Sequence, residues 1–485
     1  MRCYVPVFAL VLALAVSPGI PASQRGGEDD ISDVEQTEAV HLLEIWVEAL
    51  MDFDRLPGMT IAVVQDQEIV YARGFGHADE AGGVKATPGT IHSICSISKL
   101  FTSIAVMQLR DAGELSLDDP VSKHLPWFEP ETVSEDAAAP TIASLLLHTS
   151  GLPCEPDHTF WDDPALLRPD REELIDRVSH IGMSFPTNTS HNYSNLGYAL
   201  LGEIVSAVSG MEYNSYIQER ILEPLGMTST TPFPPAGPRG VGMATGYGRW
   251  PREGSRVTVS STDEKAMTPA GGMFSTAEDL ARFATWQFGV LDGDESPVLS
   301  AETLREMYEE HWSDPAWGLG FAIYSFMGDK LVGHVGGCPG YKSQIILCPE
   351  KKIAVVVMLN ASDAPQFTLA FRAYEIMSYA LSETAEGGVQ EASEWEAYTG
   401  RYTADRAWSE AEVLEWDGSL AVMWLPTSDP VGSLVILERV EGNAFRQVGS
   451  DGELGKHFVF KSDADGHVIG MKFNNNLLKK TSTSG

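Results

Sequence analysis

The sequence predicts an α/β protein of the α+β type, followed by a second domain that contains only β-strands. Strand patterns lie near both ends of the first 380 residues, whereas residues 115–310 are mainly helical. A sheet assembled from both ends of the chain around an inserted helical region argues against a parallel βαβ architecture. Beyond an acidic stretch at 383–394, short alternating runs are separated by turn residues. The chain has 485 residues, which is long enough for two cores.

The first elements are a helix and a hairpin. Apolar residues at helical spacing predict a helix over 33–54, and Pro57 next to a glycine ends it. Residues 60–65 and 68–75 are β-branched or aromatic runs around a polar turn, which predicts an antiparallel hairpin. The helix that follows, over 96–113, is apolar on nearly all sides, so we expect it to be buried between layers.

The remaining elements alternate between helical and strand patterns. Helices are predicted at 141–147, 171–180, 195–208, 212–222, 276–287 and 364–381, and strands at 318–325, 330–335, 341–348 and 352–359. In the C-terminal part, strands are predicted at 412–416, 420–425, 434–440, 457–461 and 468–473, separated by Asp-Gly and Glu-Gly turns. These short strands predict a small β-barrel or a sandwich.

The first 23 residues have the pattern of a secretory signal. Arg2 precedes an apolar run from Val5 to Val16, and small residues suited to cleavage follow it. We therefore expect a secreted or periplasmic protein, with an uncleaved N-terminal anchor as the alternative. No later segment has the pattern of a membrane span. The net charge of −35 argues against binding to nucleic acid or to an anionic membrane.

The cysteines predict neither a metal site nor a dense disulfide framework. Besides Cys3, the chain has Cys95, Cys154, Cys338 and Cys348, with no C-x-x-C spacing. Cys338 and Cys348 flank a predicted strand whose extended length would separate their sulfurs. We therefore expect mostly buried free thiols. Cys95 is an alternative nucleophile, but it has no lysine three residues later, so we expect it to pack as a small apolar side chain.

A serine and a lysine three residues apart form the first candidate for chemistry. On a helix, Ser96 and Lys99 share a face, whereas Ser98 points away from it. A serine in the first turn also has an unpaired backbone N–H at the positive end of the helix, which suits a developing oxyanion. Lys99 can take the serine proton only if its amine is neutral part of the time. Alone, the spacing is also compatible with a capped helix and a surface lysine.

Two further segments contain the groups that such a serine needs. Tyr193 and Asn195 precede a predicted helix, where Tyr193 would act as a base or proton shuttle and Asn195 would hold Lys99 or a substrate amide. The structural alternative is a buried tyrosine and an N-cap asparagine.

The second of these segments lies at a predicted strand end. His334 is followed there by Val335, Gly336 and Gly337, and the glycines allow close approach of a substrate backbone. The Gly337 N–H would be the second oxyanion donor beside that of Ser96, and His334 would donate to the substrate or leaving group. The alternative is a turn-rich strand end with a satisfied surface histidine.

Other catalytic signatures are absent from the sequence. It has no G-x-S-x-G elbow, no Walker loop, no H-E-x-x-H and no glycine-rich dinucleotide fingerprint. The segment from His148 to Pro153 includes Ser150 beside a glycine, but a turn is the better interpretation because no partner for that serine is evident.

The three motifs, in this order, resemble the serine β-lactamase and penicillin-binding protein superfamily, and Tyr193 points to its class C branch. Further stretches are similar to that branch: 145–153, 195–198 with Gly202, 269–280, 333–337 and 339–341. The resemblance covers roughly residues 35–382. The tail resembles the lipocalin-like barrels that follow this domain in some members.

The resemblance implies a class C β-lactamase-like fold and a set of roles. Ser96 would be acylated, Lys99 and Tyr193 would share the proton transfers, and Asn195 would orient. His334 and Val335 replace a lysine and a threonine that bind the β-lactam carboxylate in lactamases, which places efficient antibiotic hydrolysis in doubt. We therefore expect a hydrolase of esters or amides, of the esterase or S12-type peptidase kind, including D-residue peptides. The alternatives are weak β-lactam turnover or a non-catalytic binding protein on the same fold.

The predicted organisation is thus a signal peptide at 1–23, a hydrolase domain at 31–382, a linker at 383–394 and a lipocalin-like barrel at 395–485. The predicted site contains Ser96, Lys99 and Tyr193 as catalytic residues, and Asn195, His334, Gly336 and Gly337 at the substrate and oxyanion positions. No cofactor and no metal are implied. The expected partner is a small ester, amide or peptide substrate.

Overall fold

The structure is a computed structural model, and it describes residues 38–131, 133, 136–156, 168–235, 242–260, 263–383, 394–404, 410–474 and 476–481. The predicted signal segment and most of the predicted linker lie outside these residues. The described chain divides into two compact units, one from Leu56 to Ala370 and one that joins residues 38–55 to the chain from Phe371 onward. The predicted domain boundaries stay a prediction.

The elements follow the predicted sequence of strands around a helical insertion. The helices are α1 (Glu38–Asp54), α2 (Ser98–Asp111), α3 (Val121–His124), α4 (Ile142–Leu146), α5 (Arg171–Val178), α6 (Asn195–Ser209), α7 (Tyr213–Ile217), α8 (Thr268–Gly271), α9 (Ala277–Asp292), α10 (Ala301–Tyr308) and α11 (Gln366–Glu383). The strands of the first unit are β1 (Gly58–Gln65), β2 (Glu68–Asp79), β3 (Val84–Lys85), β4 (His92–Ser93), β5 (Gly246–Tyr247), β6 (Thr258–Val259), β7 (Phe274–Ser275), β8 (Trp312–Ser313), β9 (Ala316–Trp317), β10 (Ala322–Phe326), β11 (Asp329–Cys338), β12 (Tyr341–Cys348) and β13 (Ile353–Leu359).

The main sheet is antiparallel and joins the two ends of the first unit. Within the described residues it has nine strands in the order β3-β2-β1-β13-β12-β11-β10-β9-β8. The pairing of Met59 with Leu359 brings β1 beside β13, although the two strands are separated by the whole helical region. Both strands are almost fully buried, as expected for central strands rich in β-branched residues. The prediction of a sheet assembled from both ends of the chain is confirmed.

Helix α2 is the buried centre of the helical region. Apolar residues on all its faces are solvent-excluded, and the Phe101 ring stacks on Phe283 of α9 at a centroid distance of 4.7 Å. The chain leaves the helix at Gly113, whose φ of 75° suits a residue without a side chain. The predicted burial of α2 is confirmed. Helix α10 has only eight residues and was not predicted.

The C-terminal domain is a closed barrel. Its strands are β14 (Gly400–Thr403), β15 (Glu410–Trp416), β16 (Ser419–Leu425), β17 (Val435–Glu441), β18 (Ala444–Val448), β19 (Leu454–Ser462), β20 (Val468–Phe473) and β21 (Asn476–Lys480). Each strand pairs with the next, and β14 pairs with β21 to close the ring. Large side chains fill the interior, among them Tyr402, Phe445, Phe458 and Phe460. Of the two predicted architectures, the barrel is the observed one. None of the described helices has both the length and the apolarity needed to cross a membrane.

Candidate active site

Ser96 lies in a fixed turn directly before α2. The turn is a 3₁₀ helix from Cys95 to Ile97. Ser96 therefore precedes α2, whereas the prediction placed it in the first turn of that helix. Cys95 has a φ of 50°, a left-handed conformation that residues with a side chain rarely adopt. The Ser98 hydroxyl donates to the Cys95 carbonyl at 2.6 Å and accepts from the Met273 N–H at 3.0 Å. Ser98 therefore holds the turn and points away from Lys99, as predicted.

Lys99 is completely buried and makes three polar contacts. Its Nζ lies 3.3 Å from Ser96 Oγ, 2.7 Å from Asn195 Oδ1 and 2.6 Å from the Ala270 carbonyl oxygen. The predicted pairing of Ser96 with Lys99 is therefore present in the structure, and Asn195 contacts Lys99. Burial lowers the pKa of Lys99 well below its usual 10.5, against the opposing effect of the Glu155 carboxylate.

The two shorter contacts of Lys99 determine how its amine can react. Both Asn195 Oδ1 and the Ala270 carbonyl are acceptors, so each requires an N–H from Nζ. A neutral amine has two N–H groups, and both are used by these acceptors. Its lone pair is then left for the third neighbour, the hydroxyl of Ser96. The geometry thus suits a neutral Lys99 that accepts the proton of Ser96.

Tyr193 lies beside this pair. The Lys99 Nζ is 4.7 Å from the centre of the Tyr193 ring, and the Tyr193 hydroxyl is in hydrogen-bonding contact with Ser96. Burial raises the pKa of Tyr193 well above its usual 10, although the hydrogen bond to Ser96 opposes this shift. Tyr193 therefore keeps its proton in the free protein. Of the two predicted roles, this favours the proton shuttle over a resident base.

Helix α6 begins two residues after Tyr193, and its N-cap is not the asparagine of the structural alternative. The N-cap is Ser194, whose hydroxyl accepts from the Gly197 N–H at 2.9 Å. Asn195 is the first residue of the helix, and its side chain is free to bind Lys99 rather than a backbone amide.

His148 holds the segment that contains Tyr193. Its carbonyl accepts from the Asn192 N–H at 2.8 Å and its Nδ1 accepts from the Ser194 N–H at 3.1 Å, so one residue binds both neighbours of Tyr193. The two rings also lie 4.4 Å apart. Because Nδ1 accepts, a neutral His148 has its proton on Nε2. Burial lowers the pKa of His148 well below 6.5, so this acceptor persists.

The third predicted motif lies on β11 at a strand edge. Strand β10 pairs with β11 only as far as Gly333, whereas β12 pairs with β11 through Cys338. A β-carbon at Gly336 would come within 2.3 Å of the Ile94 carbonyl oxygen, so only glycine allows β11 to lie this close to the nucleophile turn. Gly336 thus lies against the residues that precede Ser96, and the His334 ring on the same strand lies 6.2 Å from the Tyr193 ring.

His334 is buried, with 1% of its area exposed, so the alternative of a surface histidine does not hold. Its Nδ1 lies 2.7 Å from the Val335 carbonyl, which can only accept, so Nδ1 has the proton and Nε2 is left as an acceptor. Burial and the nearby Lys99 lower the pKa of His334 to about 3. The one N–H of the neutral ring is already used by the Val335 carbonyl, which does not favour donation from His334 to a substrate. That role stays a prediction.

The predicted free thiols are also corrected. Cys95 and Cys338 form a disulfide although they are separated by 243 positions in sequence. Sequence spacing does not indicate this pair, because it is the fold that brings the nucleophile turn against the end of β11. The disulfide joins the residue before Ser96 to the residue after Gly337. Cys348 is a buried free thiol, as predicted.

A model of the Beta-lactamase family matches residues 43–376. The chain belongs to the Beta-lactamase family. It is 31% identical to the Beta-lactamase-like protein 2 of Dictyostelium discoideum over 334 residues, which cover 66% of this chain and 58% of that protein. It is 30% identical to the Penicillin-binding protein 4 of Amycolatopsis lactamdurans over 332 residues, covering 66% of this chain and 85% of that protein.

Solved structures extend the likeness to the C-terminal part. An octameric penicillin-binding protein homologue from Pyrococcus abyssi matches with a TM-score of 0.61 and 28% identity, covering 91% of this chain and all of that one. A beta-lactamase/D-alanine carboxypeptidase from Yersinia pestis matches with a TM-score of 0.57 and 24% identity, over 71% of this chain and 98% of that one. The second likeness shows the fold alone. Related members of this superfamily are serine hydrolases.

Several residues of the candidate site were not predicted from the sequence. Ala270 contributes only its carbonyl, and it lies in a stretch, 269–280, that was recognised as family-like without a role. The Trp317 ring packs near two site residues, 5.7 Å from His334 and 6.3 Å from Tyr193. Glu155 accepts from Asn195 Nδ2 at 2.5 Å. No spacing rule points to Glu155 or Trp317, because each reaches the site from a separate segment. Among the described residues, no cluster of three or more potential ligands could hold a metal ion.

Proposed function

We propose that this protein is an exported serine hydrolase that forms an acyl-enzyme on Ser96 and acts on esters or amides, including peptides with D-residues. The observation that carries the proposal is the position of Lys99, whose two obligate acceptors leave its lone pair for the Ser96 hydroxyl. Membership of the Beta-lactamase family supports the reaction class.

Acylation follows from the positions of these groups. The Ser96 proton passes to Lys99 Nζ as Ser96 Oγ bonds to the substrate carbonyl carbon, and the carbonyl oxygen takes the negative charge. The backbone N–H groups of Ser96 and Gly337 would bind that oxyanion. The Tyr193 hydroxyl then gives its proton to the leaving oxygen or nitrogen as the bond to carbon breaks. Lys99 returns its proton to Tyr193, so both groups end as they began.

Deacylation uses the same groups in reverse. A water takes the place of the leaving group and bonds to the acyl carbon. Its proton goes to the neutral Lys99, either directly or through Tyr193, which passes its own proton to Lys99 as it takes one from the water. The ester bond to Ser96 Oγ breaks, and Lys99 returns a proton to that oxygen. Since Lys99 has a lowered pKa and Tyr193 a raised one, one group is suited to accept protons and the other to donate them at neutral pH.

The substrate preference rests on residues 334 and 335. Where the resemblance expects a cation that binds a carboxylate, this chain has a histidine that is buried, neutral and without a spare N–H. Val335 has no hydroxyl to add. A substrate without a carboxylate at this position loses nothing, whereas a β-lactam loses its main anchoring interactions. Esters and uncharged amides are therefore proposed ahead of β-lactams.

The export proposal is supported by the disulfide between Cys95 and Cys338, since such bonds persist in oxidising compartments. A secreted or periplasmic location agrees with the signal-like pattern of residues 1–23.

The test uses purified protein lacking residues 1–23 and a Ser96→Ala variant. Both are incubated with a fluorophosphonate, a short-chain p-nitrophenyl ester, a D-amino-acid amide and nitrocefin. We expect an adduct located on Ser96 by mass spectrometry, ester turnover that Ser96→Ala abolishes, and nitrocefin as the slowest substrate. Nitrocefin as the fastest substrate would reverse the proposed preference. A folded wild-type protein that forms no adduct and turns nothing over would indicate a binding protein on this fold.

A further inference from the structure

A carboxylate lies behind the Lys99–Asn195 pair, in a segment that no motif covers. Glu155 lies between α4 and α5 and is 7% exposed. Asn195 Nδ2 donates to its Oε1 at 2.5 Å, while Asn195 Oδ1 accepts from Lys99 Nζ at 2.7 Å. Four side chains therefore form a continuous series from Ser96 through Lys99 and Asn195 to Glu155.

Glu155 decides which way the Asn195 amide faces. An ionised carboxylate only accepts hydrogen bonds, so the amide must turn its NH₂ group toward Glu155 and its oxygen toward Lys99. The opposite orientation would place NH₂ against the Lys99 amine and one oxygen against another. Without Glu155, the amide loses the partner that fixes its orientation. Asn195 Oδ1, which accepts from one of the two N–H groups of neutral Lys99, would then no longer be kept in position.

The charge of Glu155 acts on Lys99 as well. Titratable side chains from several segments face the Lys99 amine: His148, Glu155, Tyr193, Tyr198 and His334. The pKa of both histidines is lowered and the pKa of both tyrosines is raised, so these four are uncharged at neutral pH. Burial lowers the pKa of Lys99, and the Glu155 carboxylate raises it. Glu155 is thus the group in this set that favours the ammonium form.

We propose that Glu155 is a positioning residue that orients the Asn195 amide and sets the basicity of Lys99. This inference rests on the proposed function, since it concerns the base of the acylation step. It assigns Glu155 a part similar in logic to the third member of a catalytic triad, which touches neither the substrate nor the nucleophile. A purely structural role would change stability and leave the pH dependence of the reaction as it is.

The experiment compares Glu155→Gln and Glu155→Ala with the wild-type protein, again without residues 1–23. Glu155→Gln keeps an acceptor oxygen and removes the charge, whereas Glu155→Ala removes both. The control is Glu375→Gln, which neutralises a carboxylate of similar burial, 9% exposed, that pairs with Arg372 on α11. The rate of Ser96 labelling by the fluorophosphonate is measured from pH 5 to 10, because this readout requires no knowledge of the substrate. Thermal unfolding of each variant is recorded in parallel.

The expected result follows from the sign of the charge. Removing a negative charge lowers the pKa of Lys99, so the acid limb of the labelling profile should move to lower pH in Glu155→Gln, by about one unit. Glu155→Ala should show the same direction of shift and a further loss of about tenfold in the plateau rate, since the amide is no longer oriented. Glu375→Gln should keep the wild-type profile whatever its stability.

The outcomes separate this inference from the proposed function. Wild-type protein that is not labelled on Ser96 contradicts the proposed function and removes the basis for a role of Glu155. Labelled wild-type protein with an unchanged pH profile and plateau rate in folded Glu155→Gln and Glu155→Ala contradicts the role of Glu155 alone. If Glu155→Ala does not fold, the shift in Glu155→Gln still decides the question.

Discussion

The hydrogen bond from Ser194 to His148 permits a quantitative test of how Tyr193 is held. His148→Leu removes the Nδ1 acceptor and leaves the Ser194 N–H, which is buried, without that partner. His148→Asn places an amide oxygen close to where Nδ1 lies, so it can restore the acceptor. The two variants therefore lose similar ring contacts with Tyr193 but differ in the hydrogen bond beside it.

The size of the effect follows from the burial of this contact. A buried N–H that loses its partner costs about 1–3 kcal/mol. If the segment relaxes to find another partner and Tyr193 moves with it, the cost appears in the chemical step as a fall in kcat of about 5-fold to 160-fold. The KM should change little, because His148 lies behind Tyr193 rather than against the substrate. His148→Asn should recover most of the lost kcat.

The assay measures kcat and KM for the best ester found, together with thermal unfolding, for the wild-type protein and both variants. The reasoning is refuted if His148→Leu is folded and has wild-type kcat. It is equally refuted if His148→Asn and His148→Leu lose the same kcat, because the acceptor would then be irrelevant. A loss confined to KM would mean that His148 acts on substrate binding instead.

Three further predictions concern the same site. Tyr193→Phe should slow hydrolysis of an alkyl ester by about 10²–10⁴-fold and that of a p-nitrophenyl ester much less, because the second leaving group needs no proton; equal losses would rule out proton donation by Tyr193. Activity should rise with pH as Lys99 loses its proton at its lowered pKa. Because the pKa of Tyr193 is raised, activity should not fall again up to pH 10, and a bell-shaped pH dependence of activity with its maximum near neutral pH would contradict this. Replacing Cys95 and Cys338 together by alanine should lower the free energy of unfolding by about 3 kcal/mol, which urea denaturation measures, and an unchanged midpoint would argue against the disulfide.

Much of the fold was predictable because its signals are local. The hairpin of β1 and β2 follows from two β-branched runs around a polar turn, and the buried α2 follows from apolar residues on every face. The short strands β14, β18 and β21 were missed because four or five residues give too little alternation to detect. Closure of the barrel by β14 and β21 is a pairing between the two ends of the domain, which no local pattern indicates.

The sequence predicted those residues of the site that belong to recognisable motifs. Ser96, Lys99, Tyr193 and Asn195 were found because their spacing carries chemical meaning, and the structure brings them together. Glu155 and the Ala270 carbonyl act through contacts between distant segments, so no spacing identifies them. The disulfide between Cys95 and Cys338 also joins distant segments, so no spacing indicates it either. The state of His334 depends on burial and on one carbonyl, neither of which a sequence displays.

The charges of the site explain why a neutral histidine suits a lysine base. In the proposed acylation, an ammonium forms on Lys99 as an oxyanion forms on the substrate, so the buried region gains a pair of opposite charges rather than a net charge. A permanent cation at position 334 would oppose that ammonium and lower the pKa of Lys99 further. His334 is uncharged, and Glu155 supplies a negative charge on the far side of Asn195. The substitution that removes the carboxylate anchor therefore also leaves Lys99 basic enough to take the serine proton. On this argument, substrate preference and base strength depend on the same residue.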